Sequence, residues 1–200
     1  MINDAYRGSA WTVALLGLCA KEIHLCGDAR AAHLVARIVQ KTGDILEFRE
    51  YKRRNKLEFI QSTYDMRKNL KAGDCIIAFD VADVHRYRKE INSITGGDNC
   101  GMIYGKLPPE IKVSQAQRFN DGTFKYLVAT DAIGMGLNLH IKRIIFSSVH
   151  KMNQNGERSL ILPHHLKQIA GRAGRLEEEG GQVLGFNRGI GDVIFKCLKG

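Results

Sequence analysis

Apolar residues recur along this chain in two rhythms, one of helical period and one of short apolar or alternating runs. Residues 7–19 (RGSAWTVALLGLC) are apolar at helical spacing, and 22–26 (EIHLC) read as a short strand ending at Gly27. A second helix over 28–41 is stopped by Gly43, and ILEFREY within 44–51 alternates as an edge strand does. Beyond the basic run 52–56 (KRRNK) the pattern restarts with helix 61–70, strand 74–79 (DCIIAF), helix 81–94, strand 101–104, helix 109–120 and strand 125–129. Strand 142–147 (KRIIFS), helix 162–176, strand 182–186 and a terminal helix from about residue 191 complete it, with 151–159 (KMNQNGERS) as a polar surface loop.

Strands that alternate with helices long enough for right-handed crossovers predict an α/β fold, a parallel sheet of five or six strands covered by helices. The two strands expected before residue 52 are too few for an independent core, so that part reads as the tail of a domain. The expected organisation is a remnant over 1–51, a basic linker over 52–56, which could equally be a solvated loop, and a complete domain over 57–200.

Composition narrows the partners. With 44% hydrophobic residues in a chain of 200, a real core is expected. A net charge of +9 points to a polyanionic partner, nucleic acid before anionic membrane. No apolar run approaches the ~20 residues that span a bilayer, and Glu22, His24 and Asp28 interrupt any leader pattern. Five cysteines (Cys19, Cys26, Cys75, Cys100, Cys197), widely spaced and without a CxxC pair, read as reduced core residues, and no metal site is expected. Around Gly105-Lys106 the GxxxxGK[ST] pattern fails at Cys100 and Leu107. Gly134-x-Gly136 is followed by Leu139 where a dinucleotide fingerprint needs a small residue. His164 and His165, adjacent on a helix, point about 100° apart and do not share an ion.

Two stretches carry candidate chemistry. In a helix opened by Pro163, Leu166, Ile169, Ala170 and Ala173 share one face, while Gln168, Arg172 and Arg175 fall within about 60° of one another opposite. Gly171 and Gly174 lie between, and two helical glycines suggest close approach of something to the backbone. Such an arginine pair suits a polyphosphate, the plainer reading being a solvated basic face. In VATDAIGMGLNL (128–139), Thr130 and Asp131 stand at the carboxyl end of a strand, and Gly134 and Gly136 give a flexible turn. A hydroxyl and exposed amides there suit a phosphate of nucleic acid or nucleotide. Asp131 reads equally well as a helix N-cap.

VATDAIGMGLNL followed by QIAGRAGR resembles motifs V and VI of superfamily-two helicases, with IKRIIF as the strand between them. AYRGSAWTVALLGLCAKEIHLCGD, YKR, MIYGKLPP and QAQRFNDG extend the resemblance over nearly the whole chain, to the mitochondrial degradosome ATP-dependent RNA helicases of the Suv-three type. The resemblance implies a RecA-like second helicase domain, preceded by the end of a first one. It implies that Gln168, Arg172 and Arg175 reach ATP across the interdomain cleft and that Thr130 lies near the RNA backbone. Asp131, Gly134 and Gly136 would link that contact to the nucleotide, and Gly27 falls in the motif III coupling segment. It further implies RNA as partner, with DNA as the alternative, an exoribonuclease companion, and the mitochondrial matrix, with the nucleus as the alternative.

The departures are specific. The family's P-loop lysine and Mg²⁺-binding DExH-type motif belong to a part of the first domain that is not in this sequence, so the chain is expected to be a fragment whose active site is completed elsewhere. A non-catalytic RNA-binding or regulatory module is the second function class. Where the family's motif IV usually reads Phe-Ser, this chain has Phe79-Asp80. In the RNA-facing role implied for that position, the Asp80 carboxylate would repel a phosphate by roughly 1 kcal/mol after screening; as an N-cap of the helix from residue 81 it would be harmless.

Overall fold

The computed structural model describes residues 8–27, 29–51, 55–134, 136–152, 156–175 and 180–199, in two units, Met1–Arg53 and Arg54–Gly200. In the first unit α1 (Gly8–Gly17) and α2 (Ala32–Thr42) fall where the helical periodicity places them. Gly43, at φ 74°, closes α2 by donating its N–H to the Val39 carbonyl. The strands expected over 22–26 and 44–51 are not formed: neither segment makes a backbone ladder, and Ile45 is 98% exposed. Alternation makes a segment fit for a sheet, but a strand exists only when a neighbour pairs its backbone.

The second unit runs β1 (Leu57–Phe59), α3 (Met66–Asn69), β2 (Asp74–Ile77), α4 (Val81–Thr95), β3 (Cys100–Ile103), α5 (Pro109–Asn120) and β4 (Tyr126–Ala129). It continues through β5 (Arg143–Phe146), β6 (His150–Met152), β7 (Arg158–Leu160), α6 (Pro163–Ala170), β8 (Gly181–Gly185) and α7 (Arg188–Lys199). Six strands form one parallel sheet in the order β1-β8-β5-β2-β4-β3. Period-two alternation sends Cys75 and Ile77 to one face, with Phe119, Leu166, Ile169 and Ile194 of α5, α6 and α7. Ile76 and Ala78 go to the other, with Val84 and Ile91 of α4. This is the α/β architecture with helices on both faces that the sequence predicts.

Several elements differ from expectation. β1 is new, because three residues are too few for periodicity to register; it pairs in parallel with β8. The helix expected over 61–70 shrinks to α3, since the Asp65 side chain accepts the Arg67 N–H and fixes the helix start there. Where a loop is expected over 151–159, β6 and β7 pair as an antiparallel ribbon, Lys151 opposite Ser159, with 153–155 outside the described residues. Cys75 and Cys100 are buried and Cys197 partly so, but Cys19 and Cys26 are exposed, against the expectation of five core residues. Burial pushes the Cys100 thiol up to about 12, which keeps it protonated and inert.

At the amino-terminal rim of the sheet one carboxylate is buried. Asp74, 1% exposed, accepts from Arg143 Nε and Nη2 at 2.7 Å each, from Tyr64 Oη at 3.0 Å and from the Lys71 N–H at 2.9 Å. Every strong acceptor direction is filled, and Arg143 supplies the balancing charge.

Candidate functional site

The site grows from the carboxyl end of β4. Thr130 continues that strand, donating its N–H to the Ile103 carbonyl at 3.0 Å. Its hydroxyl accepts the Ala132 N–H at 3.2 Å and so caps a 3-10 turn over Asp131–Gly134. The cap of this turn is therefore Thr130 and not Asp131. Asp131 instead forms an ion pair with Lys151 of β6. Lys151 was not legible as a site residue, because the ribbon that carries it has no apolar face.

The expected helix through Arg175 ends at Ala170, with Gly171 as its cap and 171–175 as a turn. The single face of Gln168, Arg172 and Arg175 is thus not built by one helix. What approaches Gly174 is the protein's own backbone: at φ 61° it lies where an added Cβ would sit 2.0 Å from the Gly181 nitrogen. Its N–H donates to the Ile141 carbonyl at 2.7 Å.

The turn nevertheless brings the two stretches together. Gln168 Nε2 and Arg172 Nε each donate to the Gly134 carbonyl at 3.2 Å. Arg172 Nη2 makes a further, shorter bond to the same oxygen, and Nη1 donates to the Leu137 carbonyl at 2.8 Å. Its planar fork is filled by backbone oxygens. Burial, and secondarily the Arg175 charge, lower the pKa of Arg172. Arg175 itself is exposed. At Gly134 an added Cβ would be 3.7 Å from Gln168 Cδ, an ordinary contact, whereas Gly136 at φ 77° uses glycine's conformational freedom. A shallow cavity of about 220 Å³ opens beside the turn, lined by Pro109, Lys112, Val113, Ala132, Gly136 and Leu137.

Asp80 stands on the same edge, since β2 and β4 pair in register and the Ala78 N–H donates to the Ala129 carbonyl. Its Oδ1 accepts the Ala82 N–H at 2.6 Å, so the cap of α4 is made. Gly27 belongs to the first unit, in the unpaired segment after α1.

Comparison with known proteins gives the family and the fold. Residues 1–51 match the DEXQ-box helicase domain of Suv3. The chain is 46% identical to the mitochondrial ATP-dependent RNA helicase SUPV3L1 of Gallus gallus, over 94% of this chain and 24% of that protein. It is likewise 46% identical to the Homo sapiens protein of that name, over 100% and 26%. The mitochondrial DExH-box ATP-dependent RNA helicase DExH16 of Arabidopsis thaliana is 45% identical over 90% and 31%. The chain thus spans less than a third of the length of these relatives. Among solved structures, S. cerevisiae Dbp5 bound to RNA and ADP BeF3 superposes with a TM-score of 0.63 at 15% identity, covering 98% of this chain and 54% of that one. The C-terminal domain of the DEAD-box protein Dbp5 gives 0.53 at 14%, covering 74% and 85%. These two establish a RecA-like fold. The helicase conserved C-terminal domain matches residues 33–177, from α2 through the turn that holds Arg172 and Arg175, and to that family the chain belongs.

Proposed function

We propose that this chain is the motif V and motif VI part of an ATP-dependent RNA helicase, and that it converts nucleotide state into movement along RNA. The observation that carries the reading is the Gly134 carbonyl, which accepts from Gln168 and Arg172 together. That oxygen ties the segment assigned to the nucleotide to the turn assigned to RNA, so displacement of one pulls the other. In this reading residues 1–51 belong to the end of a first RecA-like domain, 52–56 link, and 57–200 are the second domain. Relatives named as mitochondrial RNA helicases support a mitochondrial setting; the matrix, a role in RNA turnover and an exoribonuclease companion belong to the proposal.

The residues present fit part of an ATP site. Arg175 has an exposed fork suited to a phosphate, while Arg172 has its own filled by carbonyls and reaches a phosphate only by releasing the turn. Bound ATP with Mg²⁺ supplies the phosphoryl group whose transfer to water drives the cycle, its metal ligands coming from first-domain motifs outside this sequence. Thr130 and the Gly136 turn would position an RNA backbone phosphate, with Asp80 beside them at the same edge.

The test uses a protein carrying the complete first domain. Arg172→Ala and Arg175→Ala should each lower kcat for ATP by about 10³ or more, as for other arginine fingers. Retention of most ATPase activity in both would remove the assignment.

A further inference from the structure

The net charge of +9 is not concentrated at the turn to which RNA is assigned. On that edge Lys151 is paired with Asp131, Arg86 with Asp83, and Lys112 donates to the Gly105 carbonyl, while Asp80 adds a negative charge. The opposite, amino-terminal rim is different. Asp74 is in register with Tyr126 on one side and Arg143 on the other, so the preceding residues, Lys125, Gly73 and Lys142, form a row. Backbone bonds lock that row: the Gly73 N–H donates to the Lys125 carbonyl at 2.8 Å and the Lys142 N–H to the Gly73 carbonyl at 3.0 Å.

Lys125 and Lys142 therefore flank Gly73 about 10 Å apart, two strand spacings. Lys71 joins them through a tight turn in which its carbonyl accepts the Asp74 N–H at 3.1 Å. All three lysines are exposed, and none has an ion-pair partner among the described residues. Asp74, the carboxylate nearest Lys71, is buried and spent on Arg143, Tyr64 and the Lys71 N–H, while Asp121, four residues before Lys125, is exposed and accepts the Thr123 N–H. Gly73 has a further part: with φ 91° and no side chain, it leaves the space that the Lys142 stem occupies, Lys142 Cγ lying 2.7 Å from where a Cβ would be. The stem of one cation is thus laid across the gap toward the other. Three exposed lysines outnumber the one exposed carboxylate, Asp121, close to them in sequence, and like charges drawn together favour a polyanion that spans them.

We propose that this rim, Lys71, Lys125 and Lys142, is a second docking surface for the phosphate backbone of RNA, separate from the Thr130 turn. A run of about two or three consecutive backbone phosphates spans the row and comes within reach of the three flexible lysines. The three residues reach backbone and carry no base-reading group, so the surface is indifferent to base sequence.

The experiment measures binding of the intact 200-residue chain to a fluorescein-labelled 20-nucleotide oligouridylate by anisotropy across a salt series. The triple variant Lys71→Gln, Lys125→Gln, Lys142→Gln should bind at least tenfold more weakly at 50 mM salt, with its log-log salt slope smaller by about two, three contacts at ~0.7 each. A matched triple, Lys89→Gln, Lys196→Gln, Lys199→Gln, removes the same charge from α4 and α7 and should change affinity less than twofold. Melting temperatures of both should equal that of the parent. A rim variant with the parental slope overturns the proposal, as does an equal loss in the matched triple, which would make the effect one of total charge. Failure of the helicase reading is told apart: it appears in the ATPase of the arginine variants, while the rim slope persists in a Thr130→Val background.

Discussion

Two arginines three positions apart do different work. Arg172 is held by two backbone carbonyls and partly buried, so Arg172→Ala leaves the Leu137 oxygen without its donor. A loss of ~1–3 kcal/mol is expected, read as a lower urea midpoint of the isolated chain. Arg175→Ala, at an exposed position, should leave the midpoint unchanged although both substitutions are expected to disable ATP hydrolysis in a protein carrying the complete first domain. At Asp80 the cap decides: Asp80→Ala should cost about 1 kcal/mol, Asp80→Ser a few tenths at most, with unchanged RNA affinity for the serine variant. Several-fold tighter binding by Asp80→Ser at low salt would instead place the carboxylate against a phosphate. The residue types and spacing made Gln168, Arg172 and Arg175 legible as candidates. The end of the helix at Ala170 was not legible, because the turn after it is held through Gly174 by contacts with Ile141 and Gly181 that helical periodicity does not report.

Elements were readable where burial imposed a pattern. β2, β4 and β5 are apolar runs enclosed on both faces, and α5 occupies Pro109–Asn120, where Pro109 and the helical period placed it. β1 and the β6–β7 ribbon escaped because neither buries a face fully enough to mark its sequence. The expected strands over 22–26 and 44–51 show the reverse error, a suitable pattern without a partner. The rim under β2 and β5 is the place where an element-scale substitution should cost most. Arg143→Met leaves the Asp74 carboxylate buried without its counter-charge, and a loss of about 3–5 kcal/mol is expected in urea denaturation. A midpoint within experimental error of the parent would show that the pair contributes nothing net.

For the whole chain, charge and motifs give separate expectations. The chain alone should hydrolyse no ATP, since arginine fingers stabilise a transition state that other groups must assemble. Turnover above a no-protein blank, abolished by Arg175→Ala, would contradict this. Gly174 sets how the second unit can move. Because its backbone meets that of Gly181 with no room for a methyl group, and because left-handed φ is costly for other residues, Gly174→Ala should destabilise by on the order of 3 kcal/mol or more. The same contact works as a riveted joint: two bare backbones meet there without a side chain to change rotamer and absorb strain. A push on Arg175 would pass one residue away into the first residue of β8 and thence to the sheet, so the force of a phosphate bound there would act on this unit as on a solid lever rather than on a loose loop.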